Sequence, residues 1–269
     1  AVLVFTKWSE FKSLNFELLN KFMKKPLTID GRGFLDKEKF LRNNKFFYWL
    51  YKIQKIYKNK RPNTHFGEFG EDIMVSRFFK NKEIGFYIDI GAYHPFKGSL
   101  TQKLYKKGWH GINIDISKTS IDLFKIARPN DININCAIGK ATEETIFFQN
   151  SKINQQNSLI RQNPNQEEVK IKCYKLNDLL TSNKIEKVDY INIDTEGTEL
   201  DILKGLDFKK INPSLLTVED NDFDLDSDSK KEKINYMKNQ GYVLINNIGV
   251  TMFFIKKEDI KKISNFIRI

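Results

Sequence analysis

The sequence predicts an α/β fold: a mainly parallel sheet with an antiparallel C-terminal strand, preceded by a basic helical extension. Three observations predict it. From residue 70 onward, short apolar runs alternate with helical stretches, the mark of βαβ units and a parallel sheet. Two of the first runs end in acids and small residues, as Asp89-Ile90-Gly91-Ala92 and Ile114-Asp115. The chain has 269 residues, 40% hydrophobic and 29% charged, which suits one α/β domain plus an extension.

Taken in order, residues 1–62 form the extension. Phe11, Leu14, Phe16, Leu18, Leu19, Phe22 and Met23 give a helical face, broken at Pro26 and Gly31-Arg32-Gly33. Residues 35–57 read as a second helical stretch, carrying Phe46-Phe47-Tyr48-Trp49-Leu50-Tyr51. Arg61-Pro62-Asn63 marks the boundary, and residues 63–269 form the main domain. Strands are expected at 86–91, 111–116, 132–138, 188–194 and 215–219, with helices at 101–107, up to 126, at 198–206 and at 230–239. Residues 242–247 and 250–255 close the sheet as a hairpin. Residues 145–173 interrupt the alternation with a polar, Gln/Asn-rich stretch that reads as an insertion or lid.

Net charge is +11, and its location matters more than its size. Residues 1–62 hold 12 Lys and 3 Arg against 5 acids, so nearly all the excess belongs to the extension. Lysines interleaved with aromatics suit docking on an anionic membrane or an acidic glycan acceptor. The bland alternative is a helical cap packing Phe46, Trp49, Leu50 and Ile53 on the domain. No run of about 18 apolar residues occurs. The start, Ala1-Val2-Leu3-Val4-Phe5, soon meets Lys7 and Glu10 and does not read as a signal peptide. The 2 cysteines, Cys136 and Cys173, have no metal-ligand spacing and read as reduced, half-buried thiols, which fits the cytoplasm. Nucleic-acid binding is not expected, because Lys dominates Arg in the extension and no RNA motif is visible.

Chemistry concentrates at strand ends, where open α/β sheets bind ligands. Gly91 and Ala92 let backbone approach a ligand that a larger side chain would block. Asp115, ending the next strand, can accept both hydroxyl protons of an adenosine ribose. The pattern is not G-x-G-x-x-G, because Tyr93-His94-Pro95 follows, so no pyrophosphate cradle forms and an NAD-type oxidoreductase is disfavoured. Asp194-Thr195-Glu196-Gly197-Thr198-Glu199 follows another strand and opens a helix, with Thr195 or Thr198 as cap candidates. Glu219 ends the fifth strand. Asp194, Glu219 and Asn221 are oxygen donors that suit Mg²⁺, but the metal-free reading is preferred.

Five separated blocks then carry a family resemblance: Phe66-Gly67-Glu68-Phe69-Gly70-Glu71-Asp72; Gly85 through His94-Pro95; Gly108-Trp109-His110-Gly111 through Asp115; Arg128-Pro129-Asn130-Asp131; and Ile193-Asp194-Thr195-Glu196-Gly197-Thr198-Glu199. In that order they resemble the FkbM family of methyltransferases, over about residues 66–255. The resemblance implies the class I methyltransferase Rossmann-like fold, S-adenosylmethionine as donor, and O-methylation of acceptors such as sugars, polyketides or surface glycans. Glu68, Leu100 and Ile116-Ser117 depart from the family pattern. On this reading Asp89, Gly91 and Ala92 border the donor's methionine end, Asp115 holds its ribose, and Asp131 or Ile132 lines its adenine. Base candidates are Asp194, His94 and Glu219. The alternative is a fold relative that has lost turnover and binds a membrane or glycan.

Overall fold

A computed structural model describes residues 2–4, 28–30, 45–58, 65–149, 157–161, 163–224 and 226–261. The chain divides into two compact units, Ala1–Lys58 and Asn59–Ile269. In the first, β1 (Val2–Val4) pairs in parallel with β2 (Thr28–Asp30), and α1 spans Lys45–Lys58. The helix was expected. The strand pair was not, because three-residue strands are too short to show a period of two. The helical face expected at Phe11 to Met23 lies outside the described residues. On α1, Trp49 and Leu50 are exposed, and Lys52 lies over the Tyr48 ring at 4.7 Å.

The second unit runs α2 (Glu71–Phe78), β3 (Phe86–Ile90), α3 (Gln102–Lys106), β4 (His110–Asp115), α4 (Lys118–Ala127), β5 (Ile132–Asn135), β6 (Ala137–Ile138), β7 (Glu143–Gln149) and β8 (Glu167–Tyr174). It continues with α5 (Leu176–Ser182), β9 (Tyr190–Ile193), α6 (Glu199–Gly205), β10 (Leu215–Glu219), α7 (Asp228–Asn239), β11 (Tyr242–Ile248) and β12 (Thr251–Lys256). Seven strands form one sheet in the order β11-β12-β10-β9-β3-β4-β5. From β10 through β5 every pairing is parallel, and β12 runs antiparallel to both β10 and β11. This is the expected mainly parallel sheet with an antiparallel C-terminal strand.

Both faces of the sheet are covered, so its inner strands are buried nearly throughout, while the edge strands β5 and β11 are mostly part-exposed. Ile88, Ile90, Ile112, Ile114, Ile191 and Ile193 fill one face, while Tyr87, Tyr190, Trp109 and Phe253 pack on the other. Helix α4 shows how local signals set boundaries. Ser117 caps its start by accepting the Ser120 N–H at 3.3 Å, and it stops at Arg128, the residue before Pro129.

The strand expected over 132–138 is two strands. It breaks at Cys136: β5 pairs with β4 in the main sheet, whereas β6 pairs with β8 in a second sheet ordered β6-β8-β7. The polar stretch 145–173 begins within β7 and ends within β8, which pair antiparallel.

Candidate active site

Strand β3 lies between β4 and β9, and the chain visits β4 first and β9 only after β8 and α5. Strand order therefore reverses beside β3, and a crevice opens at the carboxyl ends. The register aligns those ends, because Ile90 pairs with Ile114 on one side and Ile193 on the other. Gly91, Asp115 and Asp194 follow these residues and converge on one cleft. Its wall is completed by Tyr93, by Cys136, Ala137 and Ile138 after β5, and by Asn157 and Leu159 from the polar stretch.

Asp115 sits in this cleft with its carboxylate already organised. One oxygen accepts the Tyr93 N–H at 2.8 Å and the other the Ser117 N–H at 2.6 Å. The first bond holds Tyr93 in the left-handed region, at φ 51°. Burial pushes the Asp115 carboxyl up to about 6, against the two backbone N–H groups that lower it.

Gly91 lines the cleft too, but its need for glycine has another cause than the expected one. Its φ is +78°, and a Cβ there would lie 1.6 Å from the Asp194 carbonyl oxygen. Backbone approach, rather than a ligand, excludes a side chain at this position. Ala92 is buried behind the cleft, its N–H donating to the Ile114 carbonyl at 3.1 Å.

Three more of the residues expected to hold the donor are not brought to the cleft. Asp89 points to the opposite sheet face from Ile88 and Ile90, where it accepts from Thr101 Oγ1 at 2.6 Å and Asn192 Nδ2 at 2.9 Å. Asp131 and Ile132 stand at the amino end of β5, the wrong end for a ligand. Asp131 accepts from the Tyr87 hydroxyl, the Gly111 N–H at 2.9 Å and Asn113 Nδ2 at 2.9 Å. The cleft position expected for them belongs to Cys136, Ala137 and Ile138. The carboxyl-end rule, already applied to Asp89 and Asp115, would have found these had it been applied to the third strand. Burial pushes the Cys136 thiol up to about 12, so this cysteine is a packing group rather than a nucleophile.

Behind Asp89 lies a buried cation that the sequence reading did not single out. Arg128 is fully buried and donates to Gln102 Oε1, Thr101 Oγ1, the Pro95 carbonyl and Ser99 Oγ, at 2.7–2.9 Å. It thereby ties the loop after β3 to α3. His94 belongs to that loop. Its Nδ1 accepts the N–H groups of Phe96 and Lys97, both at 3.1 Å, it is buried, and it lines neither cleft. Its expected place among the base candidates is corrected by that position.

The other two base candidates do meet. Ile193 pairs with Val218, so Asp194 and Glu219 emerge side by side from β9 and β10. Burial holds the Asp194 carboxyl well above the usual range, and the adjoining Glu219 carboxylate raises it further. Two carboxyls in contact at low dielectric share a proton. Glu219 Oε2 is buried, and no other N–H or O–H among the described residues donates to it. Glu196, at φ 58°, completes a trio whose carboxylate oxygens lie within 4.8 Å of one another. That set could hold a divalent cation. It differs from the expected one, because Asn221 donates its amide to Glu196 at 2.8 Å. Glu199 instead secures the turn, accepting from Thr195 N, Thr195 Oγ1 and Gly197 N at 2.9–3.0 Å. Neither threonine caps α6 by its side chain.

The acids front a second cleft of about 330 Å³ beside the first. Tyr93 and Asp194 line both.

Residues 89–244 match the methyltransferase FkbM domain. Among solved structures, the chain is similar to a methyltransferase FkbM from Methylobacillus flagellatus, at 13% identity and a TM-score of 0.45. That match covers 79% of this chain but 55% of the other, so this chain spans little more than half the length of that protein. A second similar structure is the 1,6-didemethyltoxoflavin-N1-methyltransferase of Burkholderia thailandensis with bound S-adenosylhomocysteine. It shows 9% identity and a TM-score of 0.39, covering 87% of this chain and 93% of that one. No curated protein sequence matches.

Proposed function

The chain belongs to the FkbM methyltransferase family, and from that premise we propose that it transfers a methyl group from S-adenosylmethionine to a hydroxyl oxygen of a sugar or surface glycan. The observation that carries this reading is the shared wall between the clefts. A donor in the first and an acceptor in the second meet at Tyr93 and Asp194.

The residues of the first cleft fit the donor. Each Asp115 oxygen takes one backbone N–H and keeps a lone pair, so the carboxylate can accept two ribose hydroxyls. Cys136, Ala137 and Ile138 offer an apolar wall for adenine. Free room in this cleft is about 40 Å³, whereas ligand pockets run from roughly 300 Å³ upward. Donor binding in this reading opens the cleft beyond this volume.

S-adenosylmethionine, when bound, supplies a methyl carbon already activated by its sulfonium. What remains for this chain is to align the acceptor oxygen and remove its proton. The Asp194–Glu219 pair is the proton acceptor in this reading, with burial and the adjoining carboxylate raising the Asp194 carboxyl. Turnover should accordingly rise with pH as Asp194 loses its proton.

Substituting Asp115→Ala should weaken donor binding by about 1.5–3 kcal/mol, the range for hydrogen bonds to a charged group. The sign with pH also follows. Ribose hydroxyls bind the ionised carboxylate, and Asp115 is protonated below about 6. Affinity should fall about tenfold per pH unit below that value and level off above it. Calorimetric titration between acid and neutral pH checks both statements, and a flat profile removes the ribose assignment.

We also assign residues 1–62 to docking on an anionic membrane, supported by their charge excess and by Trp49 and Leu50 exposed on α1. Among the described residues no helix is long and apolar enough to cross a membrane. The intact chain should sediment with phosphatidylserine vesicles at low salt and be released at high salt. Failure to sediment at low salt rules the docking role out.

A further inference from the structure

The charge of the second cleft is at odds with the charge of the chain. The protein as a whole is +11, yet Glu68, Glu71, Asp194, Glu196 and Glu219 line this cleft and, among the described residues, no Lys, Arg or His does. The neighbouring Lys233 does not offset them. It is buried against Asp220 at 2.9 Å and Glu199 at 3.4 Å, two acids outside the cleft lining. Even with one proton shared between Asp194 and Glu219, several negative charges face a common space.

The same space has aromatic walls. Phe69 and Phe223 line it and are 55% and 68% exposed, which is unusual for large apolar side chains. Phe69 lies against Gly249, where an added Cβ would come within 2.6 Å of its ring. The third ring, Tyr93, already carries Lys97 at 5.7 Å from its centroid, so Phe69 and Phe223 are the rings that remain. Acids set among aromatic faces form a site for an organic cation, which gains both Coulomb attraction and contact with the rings. A small hydrated metal ion would use the acids and leave the rings without a role.

We propose that the acceptor carries a protonated amine near the hydroxyl it offers, so that amino sugars and similar amino alcohols are its substrate class. This rests on reading the second cleft as the acceptor site. The ammonium sits against Glu68 and Glu196 at the aromatic rim, and its hydroxyl reaches Asp194 and Glu219. The methyl–oxygen bond forms as the methyl–sulfur bond breaks, the hydroxyl proton passes to the carboxyl pair, and the ammonium is unchanged. Neutral sugars bring no positive charge to the acids and anionic sugars are repelled by them, so both are discriminated against.

Two probes that differ in this charge test it: a glucosamine tetrasaccharide and its N-acetylated counterpart. Both are titrated into the intact chain saturated with S-adenosylhomocysteine, then assayed for methyl transfer with S-adenosylmethionine. The amine probe should bind at least about tenfold more tightly at low salt. The preference should shrink in Glu68→Gln while donor affinity stays unchanged. Equal binding of the two probes, or no binding of either, overturns the proposal. So does Mn²⁺ that binds tightly and abolishes the amine preference, because the acids are then a metal centre. Equal methylation of both probes overturns the charge selectivity and leaves the methyltransfer reading standing. Tight amine binding without oxygen methylation, or with the methyl on nitrogen, does the reverse.

Discussion

Glu219→Gln should lower turnover by about 10²–10⁴-fold, the usual contribution of a positioned general base, with donor affinity little changed. Asp194→Asn should fall in the same range, and the double variant should lose little more than either alone, because the two carboxyls act as one unit. The expectation follows from register. Strands β9 and β10 end level, which puts both acids side by side in the second cleft, Asp194 at its border with the first, and raises Asp194 through burial and its neighbour. Single-turnover rates and donor titrations on each variant separate chemistry from binding. Wild-type rates in both variants would place the base elsewhere. EDTA should leave activity intact. Loss in EDTA with recovery on adding Mg²⁺ would instead make Asp194, Glu196 and Glu219 a metal centre.

Arg128→Ala should destabilise the fold by about 3–5 kcal/mol, the cost of breaking a buried charge network. Its guanidinium is fully buried and bonded to four neighbours at 2.7–2.9 Å. It also favours the ionised forms of the buried Asp89 and Asp131, whose carboxyls burial already raises. Removing it leaves oxygen acceptors without donors and two acids without their cation. Against a typical total of about 5–15 kcal/mol, that is a large share. Arg128→Lys should recover only part, since an ammonium cannot reproduce the fork that reaches Gln102, Thr101 and Ser99 together. Urea unfolding checks this. A midpoint within about 0.5 kcal/mol of wild type would show that the network is dispensable.

These two residues had different visibility in the sequence. Glu219 stood out as an acid ending an apolar strand. Arg128 was seen only as the start of Arg128-Pro129-Asn130-Asp131, and nothing local marked it as buried. The fold class was legible because strand and helix periods are local, and the order of elements followed from them. Where periods fail, strand boundaries are not legible. Strand β6 could not be told from β5 without its partner β8, since one continuous apolar run serves two sheets.

By itself, the sequence determined that acids and glycines stand at successive strand ends, and hence that a site lies along the carboxyl edge of a parallel sheet. A residue's position at a strand end is a property of a few neighbours. Only the tertiary structure decided which of those residues share a space. Asp194 meets Glu219 through the pairing of strands whose acids are 25 residues apart, and Asn192 and Thr101 draw Asp89 to the far face of the sheet. It also showed that Gly91 is required by the Asp194 carbonyl pressing against it. Contacts of that kind come from packing distant segments to close density, and no local pattern carries them.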